Sequence, residues 1–350
     1  MTAIIGAATN ATFLGGLIDF NQLVHSQDLN PTFSVLIDNK ISDELGATLR
    51  TLPSPYEGYE DFLLRMLPIF TNLPQGVLRS IMTFRHDPTA PGAMLIRNLP
   101  RDLALPDTPS LGKRAVNKCT YLSEACLLGI GQLLGEVFSY KNEKNGELIH
   151  NICPVKGKQK AVSNEGAIVD FLLHTEDAYF DFRPHYLFLI CLRTDGQREA
   201  ATYVADARDA CQYLRHEELA QLQKPQFAIR IPESFESINS EVQWSKAKPV
   251  LTGPDELPEV CLNLNCMMAL TSEAELALNA FRHALNLPDV VKSIYLEPGD
   301  ILLINNRKAV HGRKPFTPQF DGKDRWLQRV YIRTDLWEGR SSPNVDLRIF

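Results

Sequence analysis

Positive charge is missing from the start of the chain, where no Lys or Arg precedes Lys40. A secretory leader carries a basic segment ahead of its apolar stretch, so "MTAIIGAATNATFLGGLIDF" does not read as one. No apolar run approaches the ~18 residues that a membrane-spanning helix needs. The seven cysteines (Cys119, Cys126, Cys153, Cys191, Cys211, Cys261 and Cys266) contain no C-x-x-C pair. They read as free, mostly buried thiols of a reducing compartment. A net basic charge is lacking too: the formal charge is −6, which argues against a nucleic-acid partner. Internal repeats and low-complexity tracts are absent. What remains is a cytoplasmic globular protein acting on a small molecule, away from membrane and nucleic acid. Its oligomeric state is not legible.

The periodicity changes along the chain. Residues 58–83 place apolar side chains at helical spacing, broken by Pro68 and Pro74, and "GAMLIRNLP" (92–100) reads as a short buried strand. "YLSEACLLGIGQLLGEVF" (121–138) reads as a core helix. Beyond residue 140, "LIHNICPV", "AIVDFLLH", "YLFLICLR" and "AATYVAD" are short, apolar or β-branched, and separated by turn residues. One helix interrupts at 272–285, capped by Thr271 or Ser272, before "SIYLEPGDILLINNRKAVHG" and "RWLQRVYIRTDL" return to strands. The expectation is a mainly β, α+β domain over 1–350. A helical buttress (1–140) precedes a sandwich or barrel core (141–340). The polar stretch "KGKQKAVSNEGA" (156–167) is the candidate lid.

"FLLHTEDAYF" (171–180) puts a histidine and two acids into an apolar strand. Side chains alternate along a strand, so His174 and Glu176 share a face while Thr175 and Asp177 take the other. The pair is either a two-pronged metal clamp or a strand end entering water. His311, at the end of another apolar strand, supplies a third ligand. Two histidines and one carboxylate make the facial triad of non-haem Fe(II) oxygenases. A zinc-dependent hydrolase is the alternative from a different class. In "DGKDRWLQRVYIRTDL", Arg325, Leu327, Arg329, Tyr331 and Arg333 share one face with apolar neighbours. Arginines placed there need anions, and their planar fork suits carboxylates. Pairing with Asp335 or another nearby acid is open for Arg333. His150, His185 and His283 show no evident partner and read as packing or surface residues.

These blocks resemble the clavaminate synthase-like branch of the Fe(II)/2-oxoglutarate oxygenases. The likeness rests on His174-x-Glu176, His311, Arg325 fourteen residues later, and the long stretches around them, and it spans roughly residues 92–337. That branch includes bacterial hydroxylases of free asparagine, arginine and lysine. The resemblance implies a double-stranded β-helix, or jelly roll, in the core. It implies His174, Glu176 and His311 as Fe(II) ligands. Arg325 and Thr202 would hold the distal carboxylate of 2-oxoglutarate, and Arg329 the substrate α-carboxylate. Gln132 and the free oxygen of Glu176 would receive the α-amino group.

One departure bears on the substrate. Where the related arginine hydroxylase carries an acidic pair for the guanidinium, this chain has Asn263 and Asn265. A neutral pair gives no charge-assisted bond, although one or both could simply serve a turn. The expected reaction is hydroxylation of the β- or γ-carbon of a free L-amino acid with O2 and 2-oxoglutarate. Lysine or another polar or basic amino acid is favoured. Citrulline, glutamine, asparagine, arginine, desaturation and ring closure are the alternatives.

Overall fold

The computed structural model describes residues 34–231, 243–341 and 348–350. A short strand, β1 (Ser34–Leu36), leads into helices α1 (Asn39–Leu49), α2 (Tyr59–Thr71) and α3 (Gln75–His86). Then come β2 (Ala93–Arg97), α4 (Leu122–Leu134), β3 (Glu136–Phe138), β4 (His150–Ile152), β5 (Phe171–His174), β6 (Tyr186–Arg193) and β7 (Thr202–Asp206). Helices α5 (Ala207–Cys211) and α6 (His216–Leu222) precede the short strands β8 (Phe227–Ile229), β9 (Leu251–Thr252), β10 (Glu259–Val260) and β11 (Met267–Ala269). Helix α7 (Ser272–Leu285) returns the chain to β12 (Lys292–Ile294), β13 (Ile301–Asn305), β14 (Ala309–Arg313) and β15 (Trp326–Arg333).

The strands form a seven-stranded sheet in the order β1-β2-β13-β6-β15-β3, with β4 also on β15, and a four-stranded sheet β12-β7-β14-β5. The β13–β14 hairpin steps from the first sheet to the second. In "YLFLICLR" every second side chain, Leu187 and Leu189 among them, joins a cluster between the sheets with Val204, Ile294 and Leu327. The alternate residues, Phe188 and Ile190, pack with α2 and α4 on the outer face. Burial on both faces explains the unbroken apolar run. The four-stranded sheet is backed in turn by α5, α6 and α7, through Ala205, Val310, Leu222 and Phe281. The result is helices, sheet, sheet, helices.

Several expectations shift. The helix read over 121–138 ends at Leu134, and Glu136–Phe138 instead pairs with β15. Its Gly129 allows close approach: a Cβ there would lie 2.1 Å from the Phe70 ring on α2. Pro68 does not break α2 but sits inside its last turn, where the amide it lacks would serve only the carbonyl of the exposed Leu64. The N-terminal part is also more than a helical buttress, since β1 and β2 extend the larger sheet. Thr271 does cap α7, its Oγ1 accepting from Ala274 N at 3.2 Å. No helix among the described residues is long and apolar enough to cross a membrane. All seven cysteines are free.

Candidate active site

β5 and β14 are antiparallel neighbours, and their register sets His311 directly opposite His174. The strand ends at His174, two residues earlier than the alternation argument assumed. Glu176 is placed by other means: its backbone N–H donates to Asn306 Oδ1 at 2.7 Å, and Asn306 Nδ2 donates back to Glu176 O at 3.1 Å. Asn306 is fully buried in the β13–β14 turn. Thr175 is tied to Leu262 O on the other side. Ligand atoms of His174, Glu176 and His311 consequently lie within 4.8 Å of one another.

The protonation pattern suits a metal. His174 Nδ1 faces Leu172 O at 2.8 Å; a carbonyl only accepts, so Nδ1 carries the hydrogen and Nε2 a lone pair. That Nε2 is buried and has no protein partner. Burial and the neighbouring His311 push the His174 pKa down to about 3, so the ring is neutral at neutral pH. The Glu176 carboxyl is raised by burial, but Arg329 and His311 outweigh this and hold it well below the usual range. The neutral His174 ring, the His311 imidazole and a carboxylate converge, with the buried His174 Nε2 lone pair unpartnered. They fit a divalent cation.

Beside the triad, three arginines line the same cavity, Arg313, Arg325 and Arg329. Arg325 is 6% exposed, and its guanidinium has one polar contact among the described residues, Thr202 Oγ1 at 3.3 Å. A buried cation without a counter-ion costs several kcal/mol, a cost that an incoming anion would relieve. Arg329 is the opposite case. Its Nη1 donates to Glu176 Oε1 at 3.1 Å, and its Nη2 is shared by Glu143 Oε1 and by His150 Nδ1 at 2.8 Å. Tyr331 Oη reaches both carboxylates at 3.1 Å.

Sequence reasoning missed Glu143, Asn306 and Asn164, which enters the cavity wall from the 156–167 loop. It also misjudged His150, which accepts from Arg329 and so presents its other nitrogen to Ser139 Oγ at 3.2 Å. Only the single strand "LIHNICPV" hinted at it: β4 sets His150 opposite Arg329 on β15. The structure does not bring Gln132 to this cluster. It lies on α4, which packs against the outer face of the larger sheet, where Gly131 meets Ile332. Asn263 and Asn265 are near β5 but engaged with it. Asn265 Oδ1 accepts from Leu172 N at 3.0 Å, its Nδ2 donates to Leu172 O at 3.1 Å, and Asn263 Oδ1 accepts from Asn265 N at 3.0 Å. Arg333 pairs with Glu338, not with the Asp335 carboxylate.

The sequence matches the family model for "Taurine catabolism dioxygenase TauD, TfdA family" over residues 123–331. It is 32% identical to the L-asparagine oxygenase of Streptomyces coelicolor over 274 residues, 78% of this chain and 80% of that protein. It is also 32% identical to the L-lysine 3-hydroxylase of Catenulispora acidiphila over 278 residues, 79% of this chain and 76% of that protein. Among solved structures it is similar to an asparagine oxygenase in complex with Fe(II), 2S,3S-3-hydroxyasparagine and succinate. The TM-score is 0.82, at 29% identity, covering 91% of this chain and 99% of the other. The non-heme iron oxygenase OrfP in complex with Fe and alpha-ketoglutaric acid gives a TM-score of 0.77 at 26% identity, over 88% of this chain and 96% of the other.

Proposed function

Because the chain belongs to the taurine catabolism dioxygenase TauD, TfdA family, we propose that it hydroxylates a free L-amino acid with Fe(II), O2 and 2-oxoglutarate. The two facing sheets are read as one double-stranded β-helix (jelly-roll) core in a single domain. His174, Glu176 and His311 would hold the iron. When bound, Fe(II) with 2-oxoglutarate and O2 supplies the oxidant that replaces an unactivated C–H by C–OH, with release of succinate and CO2. The protein's own share is positioning and the exclusion of water.

Arg325 and the Thr202 hydroxyl would take the distal carboxylate of 2-oxoglutarate, which matches a guanidinium fork that lacks a counter-ion. Arg329 would take the substrate α-carboxylate. The α-ammonium would sit between Glu176 and Glu143, which replaces Gln132 in this reading because Glu143 reaches Arg329 and Tyr331 beside the triad. Charges then alternate around the zwitterionic head and fix it, while the depth of the cavity selects the carbon. Asn263 and Asn265 would support β5 rather than read the side chain, and Asn164 is the polar group on the loop wall. Lysine, or another polar or basic amino acid, remains the favoured substrate. Asparagine, glutamine, citrulline and arginine are alternatives, the first supported by the relatives above.

One observation carries the reading: three metal-ligand side chains converge with the buried His174 Nε2 unpartnered. The test is succinate release with Fe(II), ascorbate and 2-oxoglutarate across the free amino acids plus ornithine and citrulline, with mass spectrometry of each product. One substrate should gain a single oxygen, and His311→Ala should abolish it while the protein stays folded. Full turnover in that variant would refute the triad.

A further inference from the structure

Arg313 is another buried guanidinium on the cavity wall, and the roles given so far leave it unused. It ends β14, two residues past His311, and its register partner on β7 is Thr202, whose hydroxyl meets Arg325. Both arginines are under a tenth exposed. Neither has a carboxylate within ion-pair distance among the described residues, and Arg313 feels the positive field of Arg325, opposed in smaller part by Asp170. Like charges buried on one wall repel with little solvent between them.

Arg313 is nevertheless held. Its Nη1 donates to Gly166 O, its Nη2 donates to Val169 O at 3.1 Å, and its guanidinium lies 5.3 Å from the centre of the Phe316 ring. Phe316 N donates to Ala167 O at 3.0 Å. These acceptors form the far end of the loop that begins at residue 156. Glu165 is pinned separately, by Lys144 and Lys158 at 2.6 Å each. Asn164, beside Glu165, enters the cavity wall.

We infer that Arg313 is a positioning residue coupling two events: a 2-oxo diacid occupying the Arg325 pocket, and closure of the 156–169 loop. The inference rests on the role given to Arg325 above. An anion on Arg325 cancels the repulsion felt by Arg313 and so strengthens its hold on the loop carbonyls. By reciprocity, the closed loop raises affinity for the diacid. Co-substrate alone therefore closes the loop, before the amino acid enters.

Lys156, Lys158 and Lys160 are exposed on this loop, so trypsin reports its opening. The experiment follows cleavage at these sites in the full chain with Fe(II), without oxygen or amino acid, with and without 2-oxoglutarate. Binding of 2-oxoglutarate is measured in parallel by calorimetry. In the wild type 2-oxoglutarate should slow loop cleavage about fivefold or more. In Arg313→Gln that protection should nearly vanish although 2-oxoglutarate still binds, about fivefold to tenfold more weakly. Thermal melting without ligand reports whether the variant folds. If it does not, Arg313→Lys, which keeps the charge but loses the fork, carries the test and should lose at least half the protection. Undiminished protection in either folded variant overturns the coupling, as does an unprotected wild-type loop that binds 2-oxoglutarate. A wild type that binds no 2-oxoglutarate overturns the role of Arg325 itself.

Discussion

Arg325, just ahead of β15, and Arg329, within it, line one cavity but have different surroundings. Arg325 keeps its fork open, with a single hydroxyl contact, whereas Arg329 is already bracketed by Glu143, Glu176 and His150. Arg325→Ala should therefore raise the KM for 2-oxoglutarate about 100-fold, the equivalent of one lost charge-assisted pair near 3 kcal/mol, with a smaller effect on the amino acid. Arg329→Ala should raise the KM for the amino acid by a similar factor and that for 2-oxoglutarate much less. Steady-state succinate formation, varying each substrate in turn, separates the two, and the opposite pattern would exchange the roles. The convergence of His174, Glu176 and His311 and the burial of both arginines were legible because charged groups in apolar strands must have a reason to be buried. Glu143 and Asn306 were not, since their contacts depend on how a loop and a hairpin turn fold back, which no periodicity encodes. Asn263 and Asn265 illustrate the reverse case. Their place in the chain suggested recognition, but the Asn265 amide answers the backbone of β5 and Asn263 Oδ1 accepts from Asn265 N.

At the scale of elements, the site depends on how closely β14 approaches β5. The register between them shifts from His311 to Arg313, and Gly312 sits at the shift. A Cβ there would lie 2.5 Å from Phe171 O and 3.3 Å from the Leu172 carbonyl carbon. Both are backbone atoms that cannot step aside without moving the strand. Gly312→Ala should destabilise the fold by about 1–3 kcal/mol, seen as an earlier denaturant midpoint. It should also weaken Fe(II) binding by separating His311 from His174. Unchanged iron affinity would mean that the pairing tolerates the shift. The longer core strands were legible, down to the doubly buried "YLFLICLR", because period and length speak for a strand, whereas the two- and three-residue strands β8 to β11 were not. The end of α4 was less so: an apolar run continues past Gly135, and only the pairing of Glu136–Phe138 with β15 decides that it leaves the helix. The sheet order was beyond reach, because β2, which carries β1 on its other edge, pairs with β13 far along the chain.

The whole molecule places its polar chemistry between two sheets that are each backed by helices, so histidines inside it pay heavily for charge. His150 is held neutral by burial, with Arg329 adding to the effect against the pull of Glu143, and its pKa falls to about 4. His185 is depressed in the same direction, to about 3, by burial and by Arg333. In the unfolded chain both take up a proton below about 6.5, while the folded protein does not. The stability that these two neutral rings contribute is thus fully present above pH 6.5 and falls as pH drops toward 4. For His150 alone, depression from 6.5 to about 4 amounts to about 3 kcal/mol. Denaturant unfolding of the iron-free protein at pH 7.5 and pH 4.5 should show this loss. His150→Asn keeps an acceptor for Arg329 without a titrating ring. It should be less stable than the wild type at the higher pH, yet lose visibly less on acidification. Equal losses in the two proteins would mean that His150 is charged in the fold, paired with Glu143, and that Arg329 is held by the carboxylates alone.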